Sequence, residues 1–297
     1  MSEPQATIAI TTHNRKDELR KAIASALTQD VPVEVLVIDD ASSDGTAEMV
    51  RQEFPQVRLD RTEQNLGLIE QRNRAAKLAR APILVSIDDD AVFLSPSTVR
   101  QTLVSFADPR VAVVAIPYVD VLKSPDVHQK APDKRLWIVS EYRGTAHALR
   151  VDLFLKLGGY RGHLFRQGEE ADYSIRVIDA GHLIALGNAD PIHHFESPRR
   201  NTKTIMYFTG RNNVLFAWHN TPAAMLPVHI LATIANCLRA GWNDAAVAAV
   251  ISGLAAGLAG IARYWSSRRA VSSRAYFKFR ILRRGGPECL NEASISP

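Results

Sequence analysis

An apolar run, Ile83-Leu84-Val85-Ser86-Ile87, ends abruptly in three carboxylates, Asp88-Asp89-Asp90. A run this short and this apolar, entered from Pro82, reads as a strand buried on both faces. The acids at its end must be hydrated, paired or metal-bound, because burying unpaired charge is prohibitive. The pattern recurs upstream. Val33-Glu34-Val35-Leu36-Val37-Ile38 ends in Asp39-Asp40, and Thr7-Ile8-Ala9-Ile10-Thr11-Thr12 is broken by His13-Asn14-Arg15. Between those two strands Leu19, Ala22, Ile23, Ala26 and Leu27 recur at helical spacing, with Asp17 or Asn14 as the expected cap. Helices are also predicted from Ala47 to Glu53 and from Leu68 to Arg80, flanking a short strand at Val57-Arg58-Leu59. Strand alternating with helix at this spacing predicts an α/β fold around a parallel sheet with right-handed crossovers. Such a sheet gathers its strand ends at one edge, where ligands bind.

Further along, Ser97 is expected to cap a helix to Phe106, and Val111 to Ile116 to form a strand. Residues Tyr118 to Arg135, rich in charge and proline, read as an irregular surface excursion before a strand from Trp137 to Tyr142. A short helix from Val151 to Leu157 is closed by Gly158-Gly159. Gly168-Glu169-Glu170-Ala171-Asp172 opens a helix ending at Gly181, and Leu183 to Leu186 is another strand. Ile192-His193-His194 follows, then a basic loop, Ser197-Pro198-Arg199-Arg200, whose arginines suit phosphate. No Gly-x-Gly-x-x-Gly follows the first strand and no Gly-x-x-x-x-Gly-Lys follows any, which removes the dinucleotide fingerprint and the P-loop. Cys237 and Cys289 match neither a zinc pattern nor a disulfide framework. With no secretory signal visible at the start, a cytoplasmic setting is expected.

From about Ile205 the chain turns helical. Ala223 to Leu238 is uncharged apart from His229, and Ala245 to Ala262 is an alanine- and glycine-rich run that just reaches the length of a membrane span. This run is weakly apolar for a span, and an ordinary buried helix accounts for it equally well. The segment 263–284 carries +8 without a single acid, against +5 for the whole chain, which leaves −3 for the remainder. Tyr264, Trp265, Tyr276, Phe277 and Phe279 interleave with its arginines, a pattern suited to peripheral contact with an anionic bilayer. Packing within the chain or in a homo-oligomer is the alternative. No RNA-binding module accompanies the basic tail, so nucleic acid is not an expected partner.

The ordered set Ala9-Ile10-Thr11-Thr12-His13-Asn14-Arg15, Val37-Ile38-Asp39-Asp40-Ala41-Ser42-Ser43-Asp44-Gly45-Thr46, Asn65-Leu66-Gly67, Arg72-Asn73 and Ile87-Asp88-Asp89-Asp90 resembles the nucleotide-sugar half of family 2 glycosyltransferases. Gly158-Gly159-Tyr160 and Glu169-Glu170-Ala171-Asp172-Tyr173-Ser174-Ile175-Arg176 resemble the acceptor half. The similarity spans about residues 5 to 200.

The resemblance implies a Rossmann-like, mostly parallel sheet of the nucleotide-diphospho-sugar transferase type, with a C-terminal helical extension. Residues 1–204 would form the catalytic domain, with a nucleotide-sugar half to about 116 and an acceptor half after it, and 205–297 the basic extension. It further implies an inverting transfer of sugar from a nucleotide-diphosphate donor to a hydroxyl on a glycan, lipid-linked or small-molecule acceptor, in cell-surface glycan synthesis. Thr11, Asn14 and Arg15 would line the nucleotide pocket, Asp39 or Asp40 take base and ribose, and Asn65 with Arg72 support the diphosphate, beside Asp88 and Asp89. Asp88 and Asp90 match the metal-binding Asp-x-Asp signature, with His194, or else His193, as a further ligand to Mg²⁺ or Mn²⁺. Glu170 would be the general base, although the family's usual Glu-Asp pair is Glu169-Glu170 here, with Asp172 in reserve. His13 and His147 are left structural or peripheral. Two other readings remain: a noncatalytic sugar-nucleotide-binding protein, and a sugar-1-phosphate nucleotidyltransferase, which needs a Gly-rich basic loop where this chain has Thr12-His13-Asn14-Arg15.

Overall fold

In the computed structural model, which describes residues 3–196 and 201–290, the first strand β1 (Ala6–Thr12) is buried along its whole length. After it come α1 (Lys16–Ala26), β2 (Val33–Asp39), α2 (Thr46–Glu53), β3 (Arg58–Arg61), α3 (Leu68–Leu78) and β4 (Ile83–Asp88). Parallel pairing sets Thr12 of β1 beside Asp39 of β2 and Thr11 beside Asp88 of β4, so the acid-bearing strand ends meet at one edge. Alternation along β1 buries both faces: Ile8 and Ile10 pack with Leu19 and Ile23 of α1, while Ala9 packs with Ile69 of α3. Each fully buried isoleucine contributes about 1.5–3 kcal/mol by leaving water.

The chain continues through β5 (Ala91–Phe93), α4 (Thr98–Val104), β6 (Val111–Ala115), β7 (Tyr118–Asp120), β8 (Val127–His128), β9 (Trp137–Ile138) and β10 (Ala146–Arg150). Next are α5 (Val151–Lys156), α6 (Glu169–Asp179), β11 (Leu183–Leu186) and β12 (Ile192–His194). The helical region comprises α7 (Thr202–Asn220), α8 (Leu226–Asn243), α9 (Val247–Arg263) and α10 (Ser273–Gly285), and β13 (Glu288–Cys289) closes the described chain. The main sheet runs β13-β9-β11-β6-β10-β4-β1-β2-β3, and a small second sheet runs β5-β12-β7-β8.

Several expectations need correction. The sheet is mixed: β10, which the sequence did not announce, lies antiparallel between β4 and β6. Its polar His147 hid it, yet that ring is buried and meets the Tyr160 hydroxyl at 3.1 Å. The supposed excursion from 118 to 135 supplies β7 and β8 to the second sheet, and of Trp137 to Tyr142 only Trp137 and Ile138 are strand. Neither Asp17 nor Asn14 caps α1, and Ser97 makes no capping bond to α4. Asn14 sits at φ 53°, with its Oδ1 accepting from the Ser43 amide at 2.7 Å, so it ties the β1 turn to the β2 turn instead.

The helical region is welded to the sheet domain. Helix α10 packs on α6 and buries Ala275, Tyr276, Phe279 and Leu282 in the same apolar cluster as Tyr173 and Leu183. Of the aromatic residues read as bilayer anchors, Tyr276 and Phe279 are thus core, while Trp265 and Phe277 stay exposed, and β13 adds an edge to the main sheet through β9. Helices α7 and α9 approach through glycine: a Cβ on Gly253 would fall 2.0 Å from the Tyr207 carbonyl oxygen, and one on Gly257 2.7 Å from that of Arg211. Small residues four apart allow such backbone contact. Helix α8, by contrast, buries only Thr233, Cys237 and Gly241. Among the described residues its stretch Ala223–Asn243 is the one helix long and apolar enough to cross a membrane.

Candidate active site

Arg72, on α3, is almost fully buried and gathers the acids of both halves. Its Nη2 donates to Asp88 Oδ1 at 2.8 Å and to the Gly144 carbonyl at 2.9 Å, and its Nη1 donates to Glu169 Oε1 at 3.1 Å. Glu170 Oε1 stands 3.8 Å from the same nitrogen. Gly144 permits this, because a Cβ there would lie 2.5 Å from Arg72 Nη1. Burial works against the guanidinium charge, yet Asp88, Glu169 and Glu170 together hold it more firmly protonated than usual. Four ionic groups packed this closely are a buried network in which each charge depends on the others.

Glu169 and Glu170 open α6 after the left-handed Gly168, where the helix N-terminus favours negative charge. Burial still raises both carboxyls: on Glu170 the repulsion of Glu169 adds to it, and on both Arg72 pulls the other way. One Glu169 oxygen, Oε2, is buried without a hydrogen-bond partner. Asp172 is different. It turns from the cleft to Arg161, to Arg176 at 3.0 Å and to Asn220 of α7 at 2.7 Å. Burial opposes its charge, but Arg176 and Arg161 keep it below the usual carboxylate range. With both oxygens engaged, Asp172 joins α6 to α7 and is unsuited to take a substrate proton.

At the end of β4, Asp88 and Asp90 converge with His194 of β12, their ligand atoms all within 4.8 Å of one another. His194 Nε2 is 3.2 Å from Asp90 Oδ1 and 3.8 Å from Asp88 Oδ2. Its Nδ1 is anchored 2.5 Å from Asp120 Oδ1, at the end of the parallel neighbour β7. Burial lowers the basicity of this ring, but Asp90 and Asp120 outweigh it and favour the imidazolium. A ring held among three carboxylates marks a place built for positive charge. Two carboxylates and an imidazole fixed through its other nitrogen also form a donor set fit for a divalent cation. Strand alternation turns His193 to the other side, where it meets the Phe195 ring, so His193 does not join the group. Asp120 escaped the sequence reading because its segment looked like a loop. The signal was present, since it is one more acid at the end of a short apolar-containing strand.

Asp89 faces away from His194: its carboxylate accepts from Thr12 at 2.8 Å and from Arg15 Nη1 at 2.9 Å, while Arg15 Nη2 reaches Asp90 at 2.9 Å. Burial pushes the Asp89 carboxyl up to about 7 against the pull of Arg15 and Thr12. Asp40 is spent internally. It accepts from the Leu66 and Gly67 amides at 2.7 and 2.9 Å and from Gln71, and so shapes the turn that carries exposed Asn65. Asp39 accepts from the Ser42 amide at 2.9 Å, and its buried Oδ2 has no hydrogen-bond partner. Thr11 is buried on β1 between Ile38 of β2 and Asp88 of β4.

A cleft of about 970 Å³ opens over these strand ends. Arg72, Asp88, Asp120, Glu169, Glu170 and His194 line it on one side, and Phe208, Asn212 and Phe216 of α7 on the other. The expected base and ribose group, Thr11, Asn14, Arg15 and Asp39, lies at the neighbouring strand ends and not on this wall. Arg199 and Arg200, considered for phosphate, lie outside the described residues.

The profile of glycosyl transferase family 2 matches residues 7–165. The chain belongs to that family. An uncharacterized glycosyltransferase of Haemophilus influenzae is 26% identical over 211 residues, covering 67% of this chain and 71% of that one. The succinoglycan biosynthesis protein ExoO of Rhizobium meliloti is 34% identical over 121 residues, 40% of this chain and 34% of its own. Among solved structures, the mannosyltransferase PcManGT from Pyrobaculum calidifontis, in complex with GDP-Man and Mn²⁺, superposes with a TM-score of 0.58 at 19% identity, over 95% of this chain and 85% of that one. TarS 1–349 of S. aureus in complex with UDP-GlcNAc gives 0.57 at 16% identity, over 76% and 66%. This family 2 glycosyltransferase therefore shares its mixed α/β fold with both.

Proposed function

We propose that this glycosyltransferase moves a sugar from a nucleoside-diphosphate donor to an acceptor hydroxyl with inversion at the anomeric carbon. The observation that carries the reading is the double engagement of Arg72, which fixes the Asp88 end of a cation-type site and the Glu169-Glu170 pair against one cleft. In this reading Asp88, Asp90 and His194 hold the divalent cation, with Asp120 keeping the His194 ring turned so that Nε2 faces it. An all-carboxylate set suits Mg²⁺ as well as Mn²⁺, and the added imidazole favours Mn²⁺. A cation bound there offsets the negative charge that develops on the departing diphosphate.

The nucleotide would sit over the turns after β1 and β2, with Thr11, Asn14 and Asp39, whose Oδ2 pairs with Arg61 at 3.3 Å, toward base and ribose. Arg15 orders Asp89 and Asp90, Asp40 shapes the turn of Asn65, and Arg72 keeps Asp88 in place. Glu170 takes the proton of the acceptor hydroxyl as that oxygen attacks the anomeric carbon in line with the leaving diphosphate. Its raised pKa suits a base that accepts a proton near neutral pH. A single displacement of this kind inverts the centre. Support from outside the chain comes from PcManGT with GDP-Man and Mn²⁺ and TarS with UDP-GlcNAc, and the likeness to ExoO points toward polysaccharide synthesis.

The test is release of nucleoside diphosphate from a panel of nucleotide sugars, with and without Mn²⁺, by the chain and by Asp90→Asn and Glu170→Gln. Asp90→Asn should abolish cation-dependent release and Glu170→Gln should abolish transfer. Full turnover in both folded variants would falsify the assignment, and binding of a nucleotide sugar without any turnover would favour the noncatalytic alternative.

A further inference from the structure

Beside the active cleft lies a second hollow, of about 350 Å³. It is lined by Asn213 of α7, His229 and Asn236 of α8, and Arg280, Arg283 and Arg284 of α10. Asn213 and Arg283 line the active cleft as well, so the two spaces adjoin. The charge around the hollow is one-sided. From 201 to 287 the only acid is Asp244, in the turn between α8 and α9. Among the described residues neither Arg280 nor Arg284 has a carboxylate partner, and Arg283 reaches Glu141 only at 3.8 Å. Burial, then Arg280 and Arg283, push the His229 ring down to about 4, so the hollow already repels one more positive charge. Two guanidiniums with no carboxylate partner and a third held only at 3.8 Å from one call for a phosphate, which Arg binds with paired donors.

The outer side of α8 and of its neighbour α9 is apolar and uncovered. Val228, Leu231 and Trp242 of α8 are 71, 67 and 78% exposed, and Ile251 and Leu258 of α9 are 53 and 44% exposed. Trp265, just past α9, is 66% exposed. These positions recur at helical spacing, one stripe per helix, and an apolar patch of this kind marks a contact surface. Exposed Arg239, Arg263 and Arg269 accompany it. A second copy of this chain would set arginine against arginine. An anionic bilayer matches both features, with tryptophans at the headgroup level and arginines toward lipid phosphate. Helix α8 has the length to cross, but its Thr233 and Cys237 side is buried and it packs on α7 and α9, as in a hairpin lying along the surface.

We propose that the α8–α9 face lies in the interfacial plane of a bilayer, and that the arginine hollow takes the phosphate of an anionic amphiphile held there. Such a headgroup sits next to the active cleft, so the same amphiphile is placed to serve as the acceptor, a last step that rests on the transferase reading. The surface and the phosphate site stand without it.

Co-sedimentation with phosphatidylcholine vesicles, with and without phosphatidic acid, tests the proposal and needs no sugar donor, so a failure of the transferase reading leaves its outcome readable. The chain should bind the phosphatidic acid vesicles more tightly, and Arg280→Gln with Arg284→Gln should weaken that binding about tenfold or more. Leu231→Gln with Ile251→Gln should weaken binding to both vesicle types. Circular dichroism melts establish that each variant is folded, and the two pairs occupy different helices, so loss of fold in one leaves the other informative. Inorganic phosphate should compete only weakly. Equal binding to both vesicle types, unchanged binding by the arginine variant, or inorganic phosphate competing as well as phosphatidic acid overturns the lipid-phosphate site. A stable dimer that the Leu231→Gln and Ile251→Gln pair dissociates overturns the bilayer assignment in favour of a second copy.

Discussion

Arg72 and Glu169, 97 positions apart, meet at 3.1 Å inside the protein, and the other arm of the same guanidinium holds Asp88 at 2.8 Å. Removing the cation leaves buried carboxylates facing one another. Arg72→Met should therefore cost about 3–5 kcal/mol of stability, the usual penalty for breaking a buried ion pair. Chemical denaturation followed by fluorescence measures it. A loss under 1 kcal/mol would mean that water reaches the acids freely.

The pH dependence follows from the raised carboxyl of Glu170. A base must be ionised, so the transfer rate should climb as pH rises through neutrality, and Glu170→Gln should be slower by about 100-fold or more. For stability the sign is the reverse. The fold favours the protonated acid, so this contribution is complete below the unfolded carboxyl range and fades as pH rises toward the folded value. Initial rates and melting temperatures across pH, with Glu170→Gln as the reference, separate the two.

Asp172 carries the opposite sign, its folded pKa being depressed. Its stabilisation holds above the unfolded carboxyl range and is lost as pH falls through the folded value. Asp172→Ala strands Arg161 and Arg176 and should cost about 3–5 kcal/mol. Cation-dependent donor hydrolysis by the molecules that remain folded should persist. Its disappearance in a folded variant would return Asp172 to the chemistry.

Asp120→Asn keeps the shape but weakens the anchor on His194 Nδ1. Loss of such an outer partner typically costs about 10–100-fold in metal affinity. Mn²⁺ titration by isothermal calorimetry gives the number, and an unchanged affinity would remove Asp120 from the site.

Gly253→Val drives a side chain into the Tyr207 carbonyl. Overpacking of this kind costs about 1–3 kcal/mol, and the α7–α9 seam should loosen first. Hydrogen exchange should rise in α9 ahead of the main sheet. Uniform protection would show that the helices can shift apart without penalty.

Much of the nucleotide-sugar half was legible because its code is local. A short apolar run with an acid at its end specifies a strand, its burial and its site edge together, as in β2 and β4. The acids at the ends of β2 and β4 were legible this way, whereas His194, with His193 as its alternative, came only from the family resemblance. Other elements were hidden where long-range packing overrides local appearance. β10 carries His147 and Arg150 and looks polar, yet the sheet buries it because Tyr160 and backbone carbonyls satisfy those side chains. Asp120 lies in a stretch of proline and charge, and Tyr276 and Phe279 read as anchors until α6 covered them.

What the sequence by itself determined is the alternation of strands and helices and the edge on which the carboxylates gather. Both depend on periodicity and on the cost of burying charge. What each carboxylate does was decided only by the tertiary structure. Asp40 and Asp172 are as acidic in the sequence as Asp90 and Glu170, but donors from residues 66 to 71 consume one, and two arginines with Asn220 consume the other. Only folding brings those partners near, and with them the difference between an acid that braces the fold and one that faces the cleft.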